Sequence, residues 1–160
     1  MKKITHSVFL ISLIVFVCSC AGYEAIYKKN IKFEIAEYSL TGDKNLANRI
    51  YFKLKNLSKA KQSEPDAKSI DLLIKVIKTK NSTVKDTTGK ILEYKINLNT
   101  LIVVKDFLTE KVILNKNFNY STSYKVQDQN FETIQLENKS LDNLIEITYQ
   151  DLLIELSQTL

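Results

Sequence analysis

Residues 92–104, which read LEYKINLNTLIVV, decide the fold of this chain. Apolar and polar side chains alternate along most of this stretch. Because side chains leave a β-strand on alternate faces, a period of two predicts a long strand with one apolar and one polar face. The apolar face holds Leu92, Tyr94, Ile96, Leu98, Ile102 and Val104, and the polar face holds Glu93, Lys95, Asn97 and Asn99.

Three other segments repeat this period and predict three more strands. Residues 30–40 alternate around Phe33 and Ile35, a second strand begins near Ser69, and a fourth covers residues 112–124. The second strand carries Leu73 and Ile77 as apolar exceptions on its polar side. The second and fourth strands point these side chains to the core: Ile70, Leu72, Ile74, Val76, Val112, Leu114, Phe118, Tyr120 and Tyr124. The fourth strand points these outward: Asn115, Asn117, Asn119, Ser121 and Ser123.

Two segments have the period of an amphipathic helix. The first, residues 43–59, has Thr41 or Asp43 before it as a candidate cap. The second, residues 138–157, has Asn138 or Ser140 as its candidate cap. Their apolar stripes consist of Leu46, Ala47, Ile50, Leu54 and Leu57, and of Leu141, Leu144, Ile145, Thr148, Leu152 and Leu156.

The order of these elements, β-α-β-β-β-α, predicts the topology. Two strands joined by a helix should be parallel with a right-handed crossover, and the last three strands should form an antiparallel meander. The apolar faces must meet, so we expect an α+β two-layer sandwich: a four-stranded mixed sheet with both helices on one face. The pattern leaves the order of the strands open.

The chain begins with the pattern of an export signal. Two lysines follow Met1, and the apolar run VFLISLIVFV occupies residues 8–17. A membrane-spanning helix needs about 20 residues, so the run fits a secretory signal better. Val17, Cys18 and Ser19 then precede Cys20, as in a bacterial lipobox, in which a small residue stands directly before the acylated cysteine.

We therefore predict a lipoprotein signal peptide at residues 1–19, a lipidated tether at 20–29 that begins at Cys20, and a single domain at 30–160. Ala21, in a position where aspartate often retains a lipoprotein in the inner membrane, favours the outer membrane, with the domain facing the periplasm. The alternatives are an ordinary cleaved signal, an uncleaved anchor, or a metal or redox pair of Cys18 with Cys20.

The composition of the domain argues against several classes of function. Removal of residues 1–19 would also remove His6, the only histidine, so Ser–His and Cys–His nucleophiles and histidine-ligated zinc sites are not expected. The whole chain has a formal charge of +5 and one arginine, Arg49, which gives no support for nucleic-acid binding. No phosphate-binding glycine motif is present. We expect a binding or scaffold protein with no cofactor or metal, and not an enzyme.

The sequence resembles the LptE family of lipopolysaccharide-assembly lipoproteins. The resemblance lies in residues 20–28, CAGYEAIYK, in Gly89 followed by Glu93 and Tyr94, in the FNYSTSY of residues 118–124, and in the amphipathic last helix. The first segment departs from the family pattern, because it has an extra residue and an alanine in place of the proline.

The resemblance implies a two-layer α/β fold and a non-catalytic role. LptE-like proteins plug the lumen of the LptD β-barrel and help to deliver lipopolysaccharide to the outer leaflet. Some contact lipopolysaccharide through basic side chains near the tip of the hairpin after the second strand. The family's arginine falls on Thr87 or Thr88 and is missing here, so Lys80, Lys85 and Lys90 are the candidate ligand-binding residues.

Two alternatives stay open at this point. Small α/β lipoproteins also activate peptidoglycan synthases or serve as auxiliary subunits of lipid transporters, and a fold does not choose among these roles. The polar sheet face can simply face water, or it can form a wet interface inside a larger partner.

Overall fold

The structure, a computed structural model, describes residues 31–59 and 67–160. The predicted signal peptide, the tether with Cys20 and the loop with Pro65 lie outside the described residues. The elements in chain order are β1 (Phe33–Gly42), α1 (Lys44–Lys59), β2 (Lys68–Lys85), β3 (Ile91–Asp106), β4 (Val112–Lys125) and α2 (Asn130–Thr159). They form the predicted α+β sandwich, with both helices on one face of a four-stranded mixed sheet.

The strand order, which the sequence left open, is β1-β2-β3-β4. As predicted, β1 is parallel to β2, and β2, β3 and β4 form an antiparallel meander. Phe33 pairs with Lys68 at the start of β2, and Ile70 pairs with Asp106 at the end of β3. The start of β1 and the β3–β4 turn (residues 106–111) therefore share one end of the sheet, which we call the tether end. The β2–β3 turn (residues 86–90) lies at the opposite end.

The core lies between the inner sheet face and the two helices. Leu98, central in the opening stretch, is 1% exposed, and Thr100 on the same face is fully buried. Both predicted helix stripes are buried, apart from Leu57, which is partly buried at the margin of the core. The largest fully buried side chains are those of Phe33, Ile31, Ile50, Leu54, Ile70, Ile74, Ile96, Leu98, Ile102, Leu144, Ile145 and Leu152.

A sharp connection joins β1 to α1. Gly42 has a φ of +73°, a left-handed conformation that glycine adopts without steric cost. Asp43 follows, and its Oδ1 accepts a hydrogen bond of 3.2 Å from the backbone N–H of Leu46. Of the two candidate caps, Asp43 is therefore the one used, whereas Thr41 belongs to β1.

The predicted start of the last helix is wrong. Helix α2 begins at Asn130, so both Asn138 and Ser140 lie inside it. The first two turns lack the apolar stripe, because Phe131 and Ile134 are 65% and 48% exposed. Thr133 in these turns is buried and Leu136 packs against the core, but these two contacts are too few to form a stripe that would predict the helix start.

Two apolar side chains that the pattern assigned to the core are half exposed. Leu92 is 41% and Val112 is 49% exposed, because each lies at the end of a strand. Strands β2 and β3 are also longer than the predicted ones. Residues 77–85 of β2 continue for about 30 Å beyond Val76, the last residue paired with β1.

Candidate functional site

The sheet face away from the helices, called the outer face, is formed by alternate side chains of the paired strands. Towards the β2–β3 turn it is covered with amides and hydroxyls. Asn97 Nδ2 donates a hydrogen bond of 3.2 Å to Thr79 Oγ1 across β2 and β3, and Asn99 Nδ2 donates one to Asn119 Oδ1 across β3 and β4. These cross-strand bonds fix the amides in rows, with further donors and acceptors left to face outward.

Nearer the tether end, the outer face is partly aliphatic. Leu73 pairs with Val103, and Leu101 lies between them and Ile77 on the same face. Leu73 and Ile77 are 36% and 46% exposed. The sequence marked Leu73 and Ile77 as exceptions but missed Leu101 and Val103, because residues 101–104 are all apolar and the alternation disappears there.

An open depression of ≈ 250 Å³ adjoins this aliphatic group. Its polar lining comes from Glu37, Ser39, Asp71 and Lys105. Asp71 Oδ1 is buried and has no hydrogen-bond partner among the described residues. A carboxylate oxygen in this state favours contact with a donor group from outside the domain.

The β2–β3 turn is built on Asp86. Its Oδ1 accepts hydrogen bonds from Thr88 N at 2.8 Å, Thr88 Oγ1 at 2.7 Å and Lys90 N at 3.0 Å. These bonds, led by that of the Thr88 hydroxyl, lower the pKa of Asp86. Gly89 completes the turn with a φ of +86°. Thr87 and Thr88, where the family arginine would fall, are part of this turn.

The three candidate lysines do not form one cluster. Lys85, at the end of β2, and Lys90, in the turn, are exposed near the hairpin tip. Lys80 lies five residues further down β2, about 16 Å from Lys85, on the face that carries the helices. Only Lys85 and Lys90 are therefore available at the tip.

Lys80 belongs to a network between the hairpin and α2. Its Nζ lies 2.6 Å from Glu137 Oε2, and the Tyr124 hydroxyl donates a hydrogen bond of 2.9 Å to the same oxygen. Lys78 Nζ lies 3.6 Å from Glu137 Oε1. Lys80 Nζ also lies 4.2 Å from the ring centre of Tyr94, within the range of a cation–π contact.

Burial and hydrogen bonding act in opposite directions on the titration of Glu137 and Lys80. Burial raises the pKa of Glu137, but the hydrogen bonds from Lys80 and Tyr124 outweigh burial and lower it. Burial is the largest single effect on Lys80 and lowers its pKa, but the hydrogen bonds to Glu137 and Tyr124 and the charge of Glu137 together outweigh burial and raise it. The periodic pattern does not single out Glu137, because a helix residue distant in sequence carries no signal of the strand that it contacts. The pairing of Tyr94 with Tyr124 follows from the strand register.

Two general features complete the description of the surface. In residues 31–59 and 67–160, no group of three His, Cys, Asp or Glu side chains is placed to hold a metal ion. Within the same residues, no helix has the length and apolar character needed to cross a bilayer.

Comparison with known proteins identifies the fold. No protein family and no curated protein matches the sequence. Among solved structures, a lipoprotein of Caulobacter crescentus CB15, described as putative, matches with a TM-score of 0.55 at 11% identity over 82% of this chain and 93% of its own. An uncharacterized lipoprotein B from Nitrosomonas europaea matches with a TM-score of 0.56 at 12% identity over 77% of this chain and 81% of its own. The β-α-β-β-β-α sandwich described above is thus a fold also found in these two bacterial proteins.

Proposed function

We propose that this protein is an outer-membrane lipoprotein, acylated on Cys20, that plugs and supports an LptD-like β-barrel in lipopolysaccharide assembly. The observation that carries the proposal is the combination of a lipobox before Cys20 with a fold shared by two proteins described as lipoproteins. The role is one of binding and support, with no bond made or broken.

The outer face supports the choice of an enclosing partner. Interfaces that hold many bridging waters tolerate a polar surface, because a bridged contact is nearly as favourable as a direct one. The rows of Asn97, Asn99 and Asn119 offer fixed hydrogen-bonding groups to the wall of a barrel lumen. The aliphatic group around Leu73 and Val103 supplies a smaller dry contact beside them.

The hairpin supports a contact with lipopolysaccharide. Lipopolysaccharide phosphates favour cationic side chains, and Lys85 and Lys90 are exposed at the end of a hairpin whose turn is fixed by Asp86. Lys80 remains part of the proposed ligand set, but its ammonium group is paired with Glu137. We therefore assign most of the contact to the two tip lysines, and we expect it to weaken with salt.

Capture of the partner tests the proposal. The full-length protein with a C-terminal tag is produced in its own host and extracted from the outer membrane, and co-purifying proteins are identified by mass spectrometry. The proposal expects a large outer-membrane β-barrel. Recovery of a peptidoglycan synthase or an inner-membrane transporter instead would favour the alternative lipoprotein roles.

Matched variants test which surface binds the barrel and which binds lipopolysaccharide. Asn99→Arg with Asn119→Arg, on the outer face, should reduce barrel recovery at least tenfold. Lys85→Ala with Lys90→Ala should weaken lipopolysaccharide binding and leave barrel recovery unchanged. The control Lys44→Ala with Lys139→Ala removes the same charge from exposed helix positions and should leave lipopolysaccharide binding intact. Equal loss in both lysine pairs would mean that only net charge matters.

A further inference from the structure

The β3–β4 turn presents apolar side chains to solvent. Leu108 is 85% exposed, the highest value for a large apolar side chain in the described residues, and Phe107 next to it is 40% exposed. Val112, just after the turn, is 49% exposed. Single exposed apolar residues are common on protein surfaces. Three within six residues, at the end of a rigid sheet, indicate a contact surface.

Backbone hydrogen bonds fix this turn in place. Asp106 Oδ1 accepts bonds from Leu108 N at 3.2 Å and from Thr109 N and Oγ1, both at 2.9 Å. The N–H of Phe107 donates to Ser69 O on the neighbouring strand at 3.1 Å. A preorganised turn loses little conformational entropy when it meets a partner, so even two side chains can contribute usefully to binding.

The topology places this turn beside the start of the domain. Strand β1 begins at the tether end, three strand spacings or about 15 Å from β4. The residues from Cys20 to Ile31 span at most about 40 Å when fully extended. A lipid on Cys20 would therefore keep the turn within reach of the bilayer, where a weak contact is strengthened by its high effective concentration.

The charges around the turn suit a phospholipid surface. Lys105 and Lys111 flank Phe107 and Leu108, and Lys68 Nζ lies 3.9 Å from Asp106 Oδ2, so that this carboxylate faces a cation of its own domain. Glu110 is the one acidic side chain of the turn outside this pair. Lysine stems can lie along apolar surface while their ammonium groups remain at the level of the phosphates.

We propose that the β3–β4 turn is a bilayer-contact site, in which Phe107 and Leu108 enter the headgroup region of a phospholipid membrane and Lys105 and Lys111 face the lipid phosphates. This inference rests on the lipid anchor of the proposed function, but on neither the barrel nor lipopolysaccharide. A protein surface is the competing occupant of the turn.

Depth-dependent quenching tests the inference. The full-length acylated protein is reconstituted into phosphatidylethanolamine–phosphatidylglycerol vesicles that contain brominated lipid. A nitrobenzoxadiazole probe is attached to Lys111→Cys beside the turn or, as the matched control, to Lys90→Cys at the opposite end of the sheet. Quenching should be at least threefold stronger at position 111. Equal quenching at the two positions, or none at either, would overturn the proposal.

A change of the two side chains separates contact from mere proximity. With Phe107→Ser and Leu108→Ser, quenching at position 111 should fall to the level found at position 90. The control Val84→Ser with Leu92→Ser removes two half-exposed apolar side chains from the hairpin and should leave the signal unchanged. Persistence of quenching in the first variant would refute the contact.

This design tests the acylation of Cys20 and the bilayer contact of the turn separately. Mass spectrometry of the purified chain shows whether Cys20 is acylated. An unacylated chain would refute the anchor of the proposed function. Once acylation is confirmed, the quenching ratio decides whether the turn meets lipid, whatever the outcome of the barrel capture.

Discussion

Replacement of Gly42 by alanine should destabilise the domain more than the same change at Gly89. Both glycines have positive φ, +73° and +86°, and an alanine in the left-handed region costs about 1–2 kcal/mol. At Gly42 the added Cβ would also lie 2.1 Å from the backbone oxygen of Val76. At Gly89 the new atom would have no neighbour within 4 Å.

The contact at Gly42 cannot be relieved by a side-chain rotation, because the clashing atom belongs to the backbone of a central strand. Val76 is fully buried, and its oxygen accepts the N–H of Asp43 at 2.8 Å. Separation of β1 from β2 would weaken that bond, worth about 0.5–1.5 kcal/mol. The total loss is therefore about 1.5–3.5 kcal/mol at Gly42, against about 1–2 kcal/mol at Gly89.

Equilibrium urea unfolding, followed by circular dichroism, measures this difference. The chain is used without its signal peptide and with Cys20→Ser, so that no lipid complicates the transition. Gly42→Ala should lower the urea midpoint by about 1–2 M and Gly89→Ala by about half as much. Equal losses in the two variants would show that Gly42 does not lie in close contact with the backbone of Val76.

Three further predictions concern the acylation of Cys20, the packing of Leu98 and the titration of Tyr120. Cys20→Ser should move the protein from the membrane fraction to the soluble fraction on fractionation, and unchanged membrane residence would contradict acylation. Leu98→Ala should lower the unfolding free energy by about 2–5 kcal/mol, and a loss below about 1 kcal/mol would mean that the inner face is misassigned. Burial and the hydrogen bond to Asp151 raise the pKa of Tyr120 to about 12. An unfolded tyrosine titrates near pH 10, so its contribution is complete below about pH 10 and disappears as the pH rises towards 12. Tyr120→Phe should therefore lose less stability than the native chain between pH 10 and 12, and parallel curves would argue against this contact.

The sequence predicted the elements whose periodic pattern coincides with burial. Ile96 and Leu98 alternate with polar residues and are buried, so the predictions of strand β3 and of its core-facing side chains are confirmed. The start of α2 was missed, because Phe131 and Ile134 are exposed and give no amphipathic signal. Those two turns are held by contacts of Thr133, Leu136 and Glu137 with other elements, and such contacts leave no periodic pattern in the sequence.

The candidate lysines show more clearly what a single sequence cannot predict. Lys80, Lys85 and Lys90 are close in sequence, so a linear reading grouped them at one tip. A strand separates alternate residues onto two faces, and the five residue steps from Lys80 to Lys85 add about 16 Å. Lys80 therefore meets Glu137 of a helix 57 residues away. A tertiary contact of this separation leaves no periodic trace in a single sequence.

The length of β3 links the two proposals. Its residues from Ile91 to Asp106 span about 50 Å, and a bilayer with its headgroup regions is about 40–45 Å thick. With the β3–β4 turn at the periplasmic leaflet and the sheet aligned along the axis of a barrel, Lys85 and Lys90 would lie level with the outer leaflet, where lipopolysaccharide resides. With the sheet directed away from the membrane, the same lysines would stand about 50 Å into the periplasm, out of reach of that lipid. The bilayer contact alone is compatible with both orientations. A probe at position 90 that is shielded from aqueous quencher only when the barrel is present would therefore support the plugged arrangement, whereas full access in both states would exclude it.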